Sequence, residues 1–259
     1  MKPLVSIIIT YYNYEKYIKD CLLSCIAQTY PNIEIIVVND ASPDEGYKII
    51  NLTSWQHQDA NIKLITHVEN KGYAAAKNTG IRAAKGEFIV FIDADDCLTP
   101  DSVEVRVKAM ASGVDFVDGH VYEVTDVDLN YKEMMFLKKD FLKSPGTQRY
   151  YKKEHKKKIH AQGMMFRKSV FEKFGLYWNI NSKADKEMNW RLGIHPLSPL
   201  QKKIKRKHIE NFVAYYRRHP DSMKGGLSAW SKEDLRLKFI ARIQELRTNG
   251  ITKENTEWL

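Results

Sequence analysis

Between Leu4 and Ser112 the chain alternates unbroken apolar, β-branched runs with stretches of helical periodicity. Leu4 to Thr10, Ile33 to Asn39, Ile62 to His67 and Glu87 to Ile92 read as strands. Tyr14 to Gln28, Gly72 to Ala84 and Thr99 to Ser112 read as helices. A further helix opens at Ser42-Pro43-Asp44-Glu45, which has the form of an N-cap, a first-turn proline and a capping-box glutamate. Strands covered by helices on both faces show continuous apolar runs rather than alternation. The order therefore predicts an α/β fold with a doubly wound, mostly parallel sheet. Ligands of such sheets bind beyond the carboxyl ends of the strands. That rule selects Thr10 to Asn13, Asn39 to Ser42, Asn70 to Tyr73 and Asp93 to Asp96.

The alternation fades after residue 113. Val114 to Glu123 reads as a strand and Asp185 to Leu192 as a helix. Ser231 opens an amphipathic helix reaching Arg247, with Leu235, Phe239, Ile243 and Leu246 at 3/4 spacing. No internal repeat or low-complexity linker divides the chain. It reads as one domain in two halves, 1–113 and 114–225, with a C-terminal helix and tail at 226–259.

With 259 residues, 43% of them hydrophobic, the chain can bury a substantial core. No run approaches the ~18 apolar residues of a membrane span. The first apolar segment is too short for a signal peptide, so the expected compartment is the cytoplasm. Three cysteines fit a reducing environment. Cys21 and Cys25 join Ile18, Leu22 and Ile26 in one apolar helix stripe, which predicts packing rather than metal binding.

The net charge of +9 is unevenly spread. Residues 1–100 carry 9 basic against 12 acidic side chains, leaving 32 against 20 for the rest. Basic runs lie at Lys152-Lys153, Lys156 to Lys158 and Lys202 to His208. They suit a solvated face, or peripheral contact with an anionic membrane at about 1 kcal/mol per lysine. Nucleic acid, bound by counterion release, is the least supported partner.

The first strand is not followed by G-x-G-x-x-G, and a Walker lysine loop is missing. Tyr11-Tyr12-Asn13 offers aromatic faces and an amide, which suit a nucleobase or simply a packed loop. Asp40 could accept the imide hydrogen of a uracil or cap its own loop. Asp93-Ala94-Asp95-Asp96 places three carboxylates in four residues, which repel unless a cation or donors compensate them. Mg²⁺ and Mn²⁺ take oxygen ligands, and such sites commonly combine one or two carboxylates with substrate phosphates. Asp96 also fits a helix N-cap.

Leu4 to Asn13, Val37-Val38-Asn39-Asp40-Ala41-Ser42, Asn70-Lys71-Gly72 with Ala75 to Gly80, and Phe91-Ile92-Asp93-Ala94-Asp95-Asp96 form a co-linear series. The series resembles the successive motifs of family 2 glycosyltransferases, which have the GT-A fold, and covers roughly residues 3–112. The resemblance implies that Thr10, Tyr12 and Asp40 hold the nucleoside, with Lys71, Gly72, Tyr73 and Lys77 or Asn78 nearby. It implies that Asp93 contacts ribose or metal, and that Asp95 binds the divalent cation (Mn²⁺ or Mg²⁺) and the diphosphate.

The later part is similar in fewer places. His160 to Lys168 and Phe174-Gly175-Leu176-Tyr177 look like the family's acceptor-side segment. In Ala184-Asp185-Lys186-Glu187 the family's usual Glu-Asp pair has lost its Glu, while Asp185 remains as the implied general base. Glu187 is its rival, and either carboxylate could instead pair with Lys183, Lys186 or Arg191. Tyr216 to Ser222 resembles the family's late segment near the diphosphate. There Arg217 or His219 would neutralise phosphate or, for His219, complete the metal site.

The expectation is an inverting, metal-dependent transferase. It would move a sugar from a nucleotide-diphospho-sugar donor, UDP-linked, to a hydroxyl of a glycan or lipid-linked glycan acceptor in surface polysaccharide assembly. The missing Glu keeps open a non-catalytic module binding glycan, membrane or RNA. A nucleotidyltransferase would need a glycine-rich basic loop where Tyr11-Tyr12-Asn13 stands.

Overall fold

Strand β1 (Val5–Tyr11) is buried along its whole length, as its composition VSIIITY requires of a central strand. It pairs in parallel with β2 (Ile33–Asn39) on one side and β4 (Phe88–Asp93) on the other. β3 (Ile62–Thr66) extends the sheet beyond β2, also in parallel. The computed structural model describes residues 2–110, 113–124, 161–178, 185, 188, 189, 192, 193 and 204–219. The expected C-terminal helix at 226–259 and the basic run at 152–158 lie outside them.

The two faces of the strands feed two cores. Ile7, Ile9, Val37, Val90 and Ile92 pack with Ile18, Cys21, Leu22 and Cys25 of α1 (Glu15–Ile26). This core also holds Ile50 of α2 (Gly46–Gln56) and Val103 of α4 (Ser102–Ala109). Ile8, Ile36, Val38, Ile89 and Phe91 face the other way, onto Ala74, Ala76 and Ile81 of α3 (Tyr73–Ala83). Adjacent residues on one strand thus serve opposite cores, which is the period-2 geometry of a pleated strand. α3 lies so close to β1 that a Cβ on Gly80 would stand 2.3 Å from Cγ2 of Ile8.

The second half departs from simple winding. β5 (Cys97–Leu98), β6 (Phe116–Val124), β7 (Met164–Arg167) and β8 (Arg206–Arg217) complete a sheet of order β3-β2-β1-β4-β7-β6-β8-β5. β7 runs antiparallel to β4, is preceded by the 3₁₀ turn Ala161–Gly163, and leads into α5 (Ser169–Phe174). β8 returns to pair with the two residues of β5. This last pairing brings the end of β8 to the turn that follows β4.

One local expectation is corrected. α2 starts at Gly46, and neither Ser42 nor Glu45 caps it through its side chain. Ala41 turns the chain with a φ of 53°, and Asp44 faces α1, accepting the Glu15 N–H at 2.9 Å. Glu15 in turn accepts the Glu45 N–H at 3.0 Å. Each helix start thus receives a carboxylate from the other, 29 and 30 positions away, while Asp44 also accepts the Gly46 N–H of α2 at 3.3 Å, because the turn after β2 sets the two N-termini side by side.

Candidate active site

The carboxyl ends of β1 and β4 lie side by side, with Thr10 opposite Asp93 in the register. The Thr10 hydroxyl donates to Oδ1 of Asp93 at 3.2 Å, and the Gln162 amide donates to Oδ2 at 2.8 Å. Gln162 arrives on the 3₁₀ turn ahead of β7, a strand whose position beside β4 no alternation pattern announces. It was missed by sequence reasoning, although it stands inside the segment that resembles the acceptor side.

Asp93, Asp95 and Asp96 each present a carboxylate oxygen, all within 4.8 Å of one another. Asp95 meets His219, whose Nε2 lies 3.0 Å from Oδ2. Asp96 is not a helix cap; that place belongs to Asp101. Its Oδ1 accepts the backbone N–H of Arg217 at 2.8 Å, so the end of β8 is tied to the turn. The His219 ring packs 4.4 Å from the Tyr17 ring and edge-on to Tyr14, and the Arg217 guanidinium lies over Tyr17.

Burial dominates the electrostatics here. It raises the Asp93 carboxyl to about 6; Lys77 opposes the shift, while the charges of Asp95 and Asp185 add to it. Burial also raises Asp95 against the pull of His219, and lifts Asp96 further with help from its two acidic neighbours. Such a cluster binds protons more tightly than free carboxylates do, and a cation would compete with them. The donor set fits Mn²⁺ or Mg²⁺: clustered carboxylate oxygens, one imidazole, and a buried Asp96 Oδ2 with no hydrogen-bond partner among the described residues.

Asp185 joins the same cluster. Its Oδ1 takes the Lys77 ammonium at 2.5 Å and its Oδ2 lies 3.4 Å from the Tyr73 hydroxyl. Burial raises the Tyr73 hydroxyl strongly, helped first by Asp185 and then by Asp93, which places both carboxylates around one phenol. Lys77 is fully buried, with its ammonium over the rings of Tyr73, Phe91 and Tyr177 at 4.3, 4.9 and 4.8 Å. Lys77, expected near the nucleotide, pairs with Asp185. The rival Glu187 and its neighbours Ala184 and Lys186 lie outside the described residues.

Beyond β2 a second arrangement shapes the loop expected to face the nucleoside. The buried Asp40 carboxylate accepts the backbone N–H groups of Lys71 and Gly72 at 2.9 and 2.8 Å. It also receives Nδ1 of His67 at 2.6 Å, while Nε2 of His67 meets the Thr79 hydroxyl at 2.9 Å. Asp40 is 3% exposed, so most of its accepting capacity goes to the loop. Gly72, at φ 88°, supplies the backbone that brings both N–H groups to one carboxylate. The Lys71 side chain is exposed, and Tyr12 stands 45% exposed just beyond β1. His67 escaped sequence reasoning, although it follows β3 directly and the strand-end rule would have found it.

With these positions fixed, comparison with known proteins assigns the lineage. The model of the family described as Glycosyl transferase family 2 matches residues 6–175. The chain belongs to that family. The family 2 chain is 30% identical over 228 residues to the uncharacterized glycosyltransferase EpsJ of Bacillus subtilis, covering 86% of this chain and 63% of EpsJ. It spans between 33% and 63% of the length of the first four curated relatives it matches. Among solved structures it is similar to Staphylococcus aureus TarS residues 1–349 in complex with UDP-GlcNAc. There the TM-score is 0.68 at 18% identity, over 98% of this chain and 68% of that one. It is also similar to the mannosyltransferase PcManGT of Pyrobaculum calidifontis in complex with GDP-Man and Mn²⁺. That match has a TM-score of 0.61 at 20% identity, over 94% of this chain and 62% of the other. These likenesses carry the fold: the family 2 chain has the GT-A architecture, with its acidic triplet at the end of β4.

Proposed function

We propose that the chain is an inverting glycosyltransferase acting on a nucleotide-diphospho-sugar, UDP-linked, with a glycan or lipid-linked glycan hydroxyl as acceptor in surface polysaccharide assembly. The observation that carries this reading is the convergence of Asp93, Asp95, Asp96 and His219 with Asp185 at the carboxyl ends of β1 and β4. Family membership supports sugar transfer, and the UDP-GlcNAc and GDP-Man complexes of TarS and PcManGT support a nucleotide-sugar donor.

In this reading Asp95 and His219 hold a divalent cation with help from Asp93. A bound cation would neutralise the diphosphate leaving group as its charge develops. An imidazole in the set favours Mn²⁺ over the strongly hydrated Mg²⁺. Tyr12 offers its exposed ring to the base, and Asp40 shapes the Lys71-Gly72 loop beside it. Asp185 takes the acceptor proton as the hydroxyl attacks in line. Lys77 and Tyr73 fix its carboxylate, one on each oxygen, and leave accepting capacity on both. Among the described residues no helix is long and apolar enough to cross a membrane, and a peripheral approach to a lipid-linked acceptor fits this reading.

The test is UDP release from a panel of UDP-sugars with Mn²⁺ and candidate acceptors. Turnover that Asp185→Asn abolishes while nucleotide binding persists is the expected result. Nucleotide binding without turnover across the panel would instead identify a non-catalytic module.

A further inference from the structure

A second group of metal-binding side chains lies on the sheet face shared by β6 and β8. We propose that His120, His208 and Glu210 bind Zn²⁺ there, with Asp118 orienting His208. The three residues each present a ligand atom, all within 4.8 Å of one another. None of them belongs to the hydrogen-bonded set around Asp93, Asp95 and Asp96.

The sequence builds the group by strand periodicity. Asp118 and His120 are two apart on β6, and Arg206, His208, Glu210 and Phe212 are two apart on β8, so each set shares one face. Asp118 pairs with His208, but the next residue on that face, His120, pairs with Phe212. The register shift between them lets Glu210 swing beside His120, and bulges commonly re-aim a side chain in this way. As a result Nε2 of His120 lies 3.0 Å from one Glu210 oxygen, and Nε2 of His208 lies 4.0 Å from the other.

Those separations bracket the spacing of about 3.3 Å between ligands that tetrahedral Zn²⁺ requires at bonds of about 2.0–2.1 Å. Two imidazoles and one carboxylate form a donor set suited to zinc, and a water would complete four-coordination. Asp118 supplies the outer contact. It accepts Nδ1–H of His208 at 2.7 Å, which fixes the ring and leaves Nε2 as the nitrogen that would face the cation. Arg206 grips the same carboxylate through Nε and Nη2 at 2.6 and 2.7 Å, holding it in place. His120, its side chain 6% exposed, forms the closed back of the site, and the exposed Glu210 leaves a path from solvent.

Zinc at this position would tie the bulged start of β8 to β6 and so steady the strand that ends at Arg217. The three cysteines of the chain are buried and do not compete for the ion.

The test uses tag-free full-length protein titrated with Zn²⁺ against a chromogenic chelator, and with Co²⁺ read by visible absorption. One zinc per chain with a Kd of about 1 μM or tighter is expected. Glu210→Gln and His208→Ala should each weaken it by about 10-fold or more, and Asp118→Asn by about 10- to 100-fold. The Co²⁺ complex should show intense tetrahedral bands that these variants lose and Asp95→Asn retains. Unchanged affinity in Glu210→Gln and His208→Ala, or only weak octahedral Co²⁺ bands, would overturn the proposal and leave Glu210 as an ion-pair partner of His120. Glu210→Gln alters an exposed side chain, so loss of folding would not obscure the result.

Discussion

Nε2 of His219 lies 3.0 Å from Oδ2 of Asp95, although 124 positions separate the two residues. The contact makes His219 the imidazole arm of the acidic cluster. His219→Ala is expected to lower Mn²⁺ affinity by about 10-fold or more and transfer by about 100-fold, with the fold retained. Calorimetry with Mn²⁺ and UDP, beside steady-state rates, checks both. Unchanged Mn²⁺ affinity would reduce His219 to a hydrogen-bond partner. Asp95→Asn should give the larger loss of the two.

The Asp93 carboxyl, raised by burial to about 6, sets a pH dependence. A raised carboxyl binds its proton more tightly in the folded state than in the unfolded one. Its contribution to stability is full below the unfolded value of 3.8 and is lost as pH rises through about 6. Without added cation, wild-type protein should therefore gain thermal stability relative to Asp93→Asn as pH falls from 7 to 5. Mn²⁺ should reverse the trend, because binding releases protons and strengthens above pH 6. Parallel melting curves for the two proteins that ignored pH would refute the assignment.

Lys77→Met removes the ammonium from Asp185 while keeping the bulk of the stem. Breaking a fully buried pair costs about 3–5 kcal/mol. The Asp185 side chain is 29% exposed, so water recovers part of this and a loss of about 2 kcal/mol is expected. Turnover should fall with little change in the KM for donor if the ammonium serves Asp185 as the proposed base. A rise in that KM at constant kcat would return Lys77 to the nucleotide site.

Gly80→Val should destabilise through packing alone. Even the first carbon of the new side chain would stand 2.3 Å from Cγ2 of Ile8, in the centre of the sheet. Overpacking of this kind costs about 1–3 kcal/mol. Chemical denaturation should show a lower midpoint with an unchanged m-value.

Much of the first half was legible because buried strands and amphipathic helices write their periods directly into composition. The four parallel strands fall within a residue or two of their expected bounds, and Asp93 proves to be the last residue of β4 rather than the first beyond it. What escaped depends on partners far away in the chain. Ser42 to Glu45 has the spacing of a local capping box, yet Asp44 caps α1, because a turn after β2 is invisible to a four-residue pattern. Gln162 reaches Asp93 only because β7 enters antiparallel beside β4, and periodicity does not reveal strand order. The basic run from Lys202 to His208 reads in sequence as a solvated face or a membrane contact. Two of its members, Arg206 and His208, are spent on the buried Asp118.

The pairing of β5 with β8 has a consequence for biosynthesis. A nascent chain that has emerged as far as Asp96 holds every residue of β1 to β4 and the three carboxylates of the turn. It still lacks the strand that delivers Arg217 and His219. The meeting of His219 with Asp95 thus waits on a contact between residues 124 positions apart, the slow class of contact in folding. An unfinished chain would carry the acidic turn without its imidazole, and translation itself would set the moment at which the cluster is complete.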